Sequence, residues 1–134
     1  MTVDEISYAD VVVLKLAGRV DQENSPALQR RLGEVVSRPG QPRMAGLAID
    51  MANVPYMSSA GLRVLMIAAK ETKAAGMKLA VAGLRPVVRE VFQISRFDQV
   101  IPVYDQLSAA LGAISGAAAV AYSSRDAAGT AGST

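Results

Sequence analysis

The run Val11-Val12-Val13-Leu14-Lys15-Leu16 is apolar at five of six positions and β-branched at three. A strand of that composition has no polar face to turn to water, so it needs cover on both sides. Gly46–Ala52, Met77–Ala82 and Val100–Val103 repeat the pattern, and each is separated from the last by a stretch of helical period. Strands alternating with helices point to an α/β layer fold with a largely parallel sheet. Val3–Ile6, parted from Val11–Ala17 by a turn near Tyr8–Asp10, adds a strand by an antiparallel hairpin. The expectation is a single domain with a mixed, largely parallel sheet of four to five strands and about four helices. A chain of 134 residues is long enough for one core, hiding roughly two-thirds of its unfolded surface.

The helices are marked by their ends. Asn24 or Ser25, followed by Pro26, opens a helix to about Val36 with Leu28, Leu32 and Val35 as its apolar stripe. Ser37–Pro42, with two prolines and a glycine, reads as a loop. Ser58-Ser59-Ala60-Gly61 opens a long helix to about Ala75, which Gly76 stops. Gly83-Leu84-Arg85-Pro86 turns into a helix through Ile94, and Tyr104–Ser115 forms a last one. Of the 19 residues of Gly116–Thr134, 15 are Ala, Gly, Ser or Thr, without an apolar period, which predicts a flexible tail after a domain of residues 1–115.

Composition removes whole classes of chemistry. The chain has no His and no Cys, which removes the commonest general base and metal ligand, thiolate chemistry and disulfides. No metal site or cofactor motif is visible, and neither G-x-x-x-x-G-K nor G-x-G-x-x-G occurs. A net charge of +2 and few aromatics give neither the basic stripe nor the stacking platform of a nucleic-acid binder. Arg85, Arg89 and Arg96 read either as a basic patch or as a solvated face. Met1–Asp10 lacks an apolar signal region and no stretch is long and apolar enough to span a bilayer, so a soluble cytoplasmic protein is expected.

The most informative segment is Ile49–Leu65, where a buried strand delivers the chain to two successive hydroxyls and a helix starts at once. One serine suffices as an N-cap. Both also lie where unpaired amides and the positive helix end converge, a place that receives phosphate. Behind them Leu62, Leu65, Met66 and Ala69 form one apolar face, and Val64, Ile67 and Ala68 make the opposite side apolar too. Such a helix is either buried on both sides or shows a face to another protein.

At these residues the chain resembles the STAS family, specifically its stand-alone bacterial anti-sigma-factor antagonists. The resemblance covers about residues 3–115. It rests on Leu16-Ala17-Gly18-Arg19-Val20-Asp21, on Asp50, on Ser58-Ser59-Ala60-Gly61-Leu62 and on Gly83 through Phe92. It implies a module that, unphosphorylated, binds a kinase-like anti-sigma factor and frees a sigma factor. The kinase then phosphorylates a serine at the start of the long helix, and a phosphatase restores the cycle. The commoner motif places an acid at Ser58 and a hydroxyl at Ala60. Ala60 cannot take phosphate, so the resemblance implies Ser59 as the acceptor, with Ser58 in reserve. It further implies partner contacts at Asp21, Ser58, Ser59, Gly61 and Arg63. For Asp21 a turn or helix-capping role near Asn24 is the other reading.

Two other functions compete. A STAS subunit of a transporter or signalling scaffold would keep the fold and change the partner. A serine hydrolase has no His for a triad, and Lys70 and Lys73 lie roughly 16–20 Å down the helix from Ser59 at 1.5 Å per residue. The residues therefore favour a binding protein over an enzyme.

Overall fold

The computed structural model describes residues 1–38 and 44–132, with side chains through residue 125. Five strands form one sheet in the order β1-β2-β3-β4-β5, which is also their order along the chain. The strands are β1 (Thr2–Tyr8), β2 (Val11–Ala17), β3 (Gly46–Asn53), β4 (Lys78–Ala82) and β5 (Val103–Tyr104). The hairpin of β1 and β2 is antiparallel, and every later pairing is parallel. In register, Leu14 stands beside Ile49, and Ile49 beside Val81.

Each parallel step needs a crossover helix: α1 (Ser25–Val36), α2 (Ser59–Ala74) and α3 (Pro86–Ile94). All three lie on one face. Leu28 and Leu32 of α1, Leu65 of α2 and Phe92 of α3 share a core with Leu14, Leu16, Leu47, Ile49 and Val81. The opposite face carries Val11, Val13, Ala48, Ala80 and Ala82, covered by Leu107, Leu111 and Ile114 of α4 (Leu107–Ile114) and Ala118 of α5 (Gly116–Gly132). The apolar run of β2 is thus buried on both sides, as its composition requires. Gly76, at φ +74°, ends α2 as expected.

Three segments differ from the sequence reading. Gly116–Gly132 is a helix where a flexible tail was expected, which brings the described α-helices to five. Small residues let it lie close to the sheet, with Ala118 fully buried and Tyr122 packed edge-on against Tyr8 at 5.1 Å. The last strand is Val103–Tyr104 rather than Val100–Val103. Arg96 takes a left-handed conformation (φ 61°) and a 3₁₀ turn at Phe97–Gln99 drives Phe97 inward, leaving Val100 in solvent. The helix after the last strand begins at Leu107, not Tyr104. In the loop expected at Ser37–Pro42, Pro39, Gly40, Gln41 and Pro42 lie outside the described residues.

Candidate functional site

Two loops meet at the carboxyl end of the sheet. After β2, Gly18 at φ +97° turns the chain and gives its N–H to the Asn53 carbonyl (2.9 Å). Two residues on, Val20 bridges to Met57: its N–H donates to the Tyr56 carbonyl (3.0 Å), and its own carbonyl accepts from Ser58 N–H (2.9 Å). Val20, Val54 and Met57 are buried, so the loops are clamped by backbone hydrogen bonds and an apolar plug. Above the clamp the Arg19 guanidinium stacks on the Tyr56 ring, 4.3 Å from its centroid.

Ser58 caps α2: its Oγ accepts from Gly61 N–H at 3.3 Å, and its carbonyl begins the helical ladder by accepting from Leu62 N–H. Ser59, the first residue of the helix, is exposed. Among the described residues the N–H groups of Ser59 and Ala60 have no protein partner. Gly61 is buried under the first turn, where a β-carbon would meet Met57 Cγ at 2.8 Å and Val20 Cγ1 at 2.9 Å. Arg63 lies one turn beyond Ser59 and is exposed on the same side.

Ser58, Ser59 and Arg63 line one groove of about 720 Å³ with Gln22, Ser25, Pro26 and Gln29, so the amino ends of α1 and α2 form its two walls. Asp21 does not line it. Its Oδ1 accepts from the N–H groups of Glu23 and Asn24, each at 3.0 Å, and its carbonyl accepts from Ser25 N–H at 2.9 Å. In return, Asp21 N–H donates to Asn24 Oδ1 (2.9 Å). Asp21 therefore starts the α1 turn. Asn24, one of the two expected caps, holds the N-cap position with its carbonyl accepting from Ala27 and Leu28 N–H, but its side chain makes no bond to the helix and braces the loop, its Nδ2 donating to the Arg19 carbonyl. Of the five implied contact residues, Ser58, Ser59 and Arg63 share the groove, Gly61 is buried under the first turn of α2, and Asp21 precedes the groove-lining Gln22.

The arginines of the third helix do not act as one patch: Arg89 is held by Asp105 at 2.7 Å, and Arg96 belongs to the turn after the helix. Asp50, at the end of β3, accepts from Ala52 N–H at 3.1 Å. Sequence reasoning missed the Arg19–Tyr56 stack and the Val20–Met57 bridge; both join residues 37 apart, and only the folded sheet brings them together.

Among the described residues no three His, Cys, Asp or Glu side chains stand where they could hold a metal ion. Among the described residues no helix is long and apolar enough to cross a membrane.

Residues 3–110 match the STAS domain family. BtrV of Bordetella bronchiseptica is 34% identical over 113 residues, spanning 84% of this chain and 92% of that relative. The anti-sigma-F factor antagonist RsfB of Mycobacterium tuberculosis is 28% identical over 116 residues, 87% of this chain and 91% of that one. The crystal structure of an anti-sigma factor antagonist from Mycobacterium paratuberculosis superimposes with a TM-score of 0.75 at 26% identity, covering 84% of this chain and 92% of that one. The groove at the head of α2 therefore sits on a known scaffold, and the chain belongs to the STAS domain family, among its anti-sigma factor antagonists.

Proposed function

We propose that this chain is a cytoplasmic anti-sigma factor antagonist whose unphosphorylated form binds an anti-sigma factor with serine kinase activity and so frees a sigma factor. Phosphate on Ser59, with Ser58 as the alternative acceptor, switches that binding off, and a phosphatase resets it. The observation that carries the reading is the division of labour between the two serines: Ser58 is spent on the cap, while Ser59 stands exposed beside it.

A phosphate on Ser59 carries about −1.5 to −2 charges. The positive end of α2, the unengaged N–H groups of Ser59 and Ala60, and Arg63 one turn away all favour it there. The folded domain tolerates the modification. A partner seated over the groove does not, because the dianion would lose its water at the contact. That penalty is several kcal/mol, and about 1.4 kcal/mol is a tenfold loss of affinity. Asp21, Gly61 and Arg63 then act differently: Arg63 and Asp21 border the contact, while Gly61 keeps the helix start flush with Val20. The role is recognition, with the chain as a kinase substrate rather than a catalyst.

Incubation with a kinase-type anti-sigma factor and ATP, followed by intact mass measurement, tests this. One added phosphate, lost in Ser59→Ala and accompanied by release of the complex, is the expected result. Variants Ser59→Ala, Ser58→Ala and the double replacement that all bind and cycle like the parent would overturn it.

A further inference from the structure

The helices on the site's face of the sheet are unevenly packed: α1 and α2 lie against each other along their length, whereas α2 and α3 barely touch. The outward direction of each flank follows from its neighbours. On α2, Glu71 faces α1, with its carboxylate approaching Gly33, so Leu62, Met66 and Ala69 lie on the other flank, towards α3. On α3, Arg89 reaches Asp105 beyond β5, and Gln93 lies by Asp98, so Val87, Val91 and Ile94 lie on the flank towards α2. Met66 is 37% exposed, Val87 59% and Ile94 77%. The facing flanks of α2 and α3 thus form an apolar trough, and Ser59 is the first residue of its α2 wall.

We propose that this trough receives an acidic amphipathic helix of the anti-sigma factor; the inference rests on the function proposed above and adds where the partner sits and of what chemistry it is made. Both walls are helices bearing apolar side chains at i, i+4 and i+7, the spacing into which the ridges of a third helix fit. Val87 to Ile94 spans about 10 Å at 1.5 Å per residue, or two helical turns of a ligand. Charge selects its sign. The outer face of α2 carries Lys70 and Lys73 beside the trough and Arg63 on the side of the α1 groove, against Glu90 on α3. An acidic ligand is attracted along that rim, and phosphate on Ser59 would add a like charge at the mouth of the trough. The phosphate thus repels the occupant as well as burdening it with desolvation.

Binding of the anti-sigma kinase that phosphorylates the chain, measured by titration, tests the surface. Val87→Glu with Ile94→Glu is expected to weaken binding about tenfold or more, since both residues are exposed and not needed for the core. Lys70→Glu with Lys73→Glu is expected to slow association and to flatten its salt dependence. Val120→Glu, on the opposite face and also exposed, is expected to leave binding unchanged. The chain has no cysteine, so Ile94→Cys carrying a nitroxide label gives a second measurement, immobilising when the partner binds. Full binding by the Val87/Ile94 variant together with a mobile label would overturn the trough while leaving the function intact. Tighter binding by the Lys70/Lys73 variant would overturn the acidic ligand. Absence of binding and of phosphorylation in the parent chain would instead remove the function, and the trough's role with it.

Discussion

Val20 fills the space that a side chain at Gly61 would need: a β-carbon placed there lies 2.9 Å from Val20 Cγ1, and 2.8 Å from Met57 Cγ. This contact joins the loop after β2 to the first turn of α2 and holds the serines against the Asp21 turn. Gly61→Ala therefore sets two effects against each other. Alanine gains up to about 1 kcal/mol of helix propensity, but overpacking against a stiff buried valine costs about 1–3 kcal/mol. The clash is expected to win, with a lower urea midpoint. Val20→Ala combined with Gly61→Ala is expected to be less destabilised than the sum of the single changes, and a double-mutant cycle measures that coupling.

The two serines separate stability from modification. Ser58→Ala removes the acceptor for Gly61 N–H and is expected to cost about 1 kcal/mol in urea unfolding. Ser59→Ala removes an exposed hydroxyl that makes no hydrogen bond among the described residues, so its stability is expected to stay within about 0.5 kcal/mol of the parent. Its phosphorylation is expected to disappear. Equal destabilisation by the two substitutions would contradict the capping geometry.

The parts of this site differ in how legible they are from sequence. A hydroxyl pair before a helical run, followed by a glycine, marks the start of α2 without any coordinates, because capping is local chemistry. The doubly apolar α2 is ambiguous until its neighbours are known: Val64 and Ala68 are buried, while Met66 on the α3 flank is left half in solvent. The α5 helix is the clearest loss. Its composition resembles a linker, and what orders its start is Ala118 against the far sheet face and Tyr122 against Tyr8, 114 residues away. Glu5 and Arg38 are likewise invisible as a pair, since 33 residues separate them.

That pair gives the chain an acid-sensitive contact. Arg38 makes two hydrogen bonds to Glu5, at 2.7 and 2.9 Å, with Arg31 at 3.6 Å. The Arg38 hydrogen bonds, aided by the charges of Arg38 and Arg31, hold the Glu5 carboxyl below the usual carboxylate range. A carboxyl with a lowered pKa in the folded state contributes stability that is present above its unfolded pKa. That stability is lost as pH falls through the folded value. Between pH 7 and 3 the parent is therefore expected to lose more stability than Glu5→Gln, with the difference appearing below the ordinary carboxylate range. The gap is expected to be small because the pair touches solvent. Parallel urea midpoints against pH for the two proteins would contradict the assignment.

The far face supplies the last test, because it separates the scaffold from the site. Tyr122 meets Tyr8 edge-on, the Arg125 guanidinium lies 5.1 Å over the Tyr8 ring, and Arg125 also donates to the Ser7 carbonyl. Ser115 Oγ donates to Asp10 Oδ1 at 2.6 Å, and accepts from Ala118 N–H at the start of α5. Tyr122→Ala removes an aromatic pair and the cover over a buried tyrosine, which is expected to cost about 1–3 kcal/mol. Ending the chain after Ser115 removes the Ala118 contact as well and is expected to cost more. Neither change reaches α2, α3 or the groove at Ser59, which lie across the sheet. Phosphorylation of Ser59 and binding of the anti-sigma factor, measured well below the unfolding midpoint, are expected to stay within about twofold of the parent. A loss of binding without a loss of stability would show that α5 contributes directly to recognition.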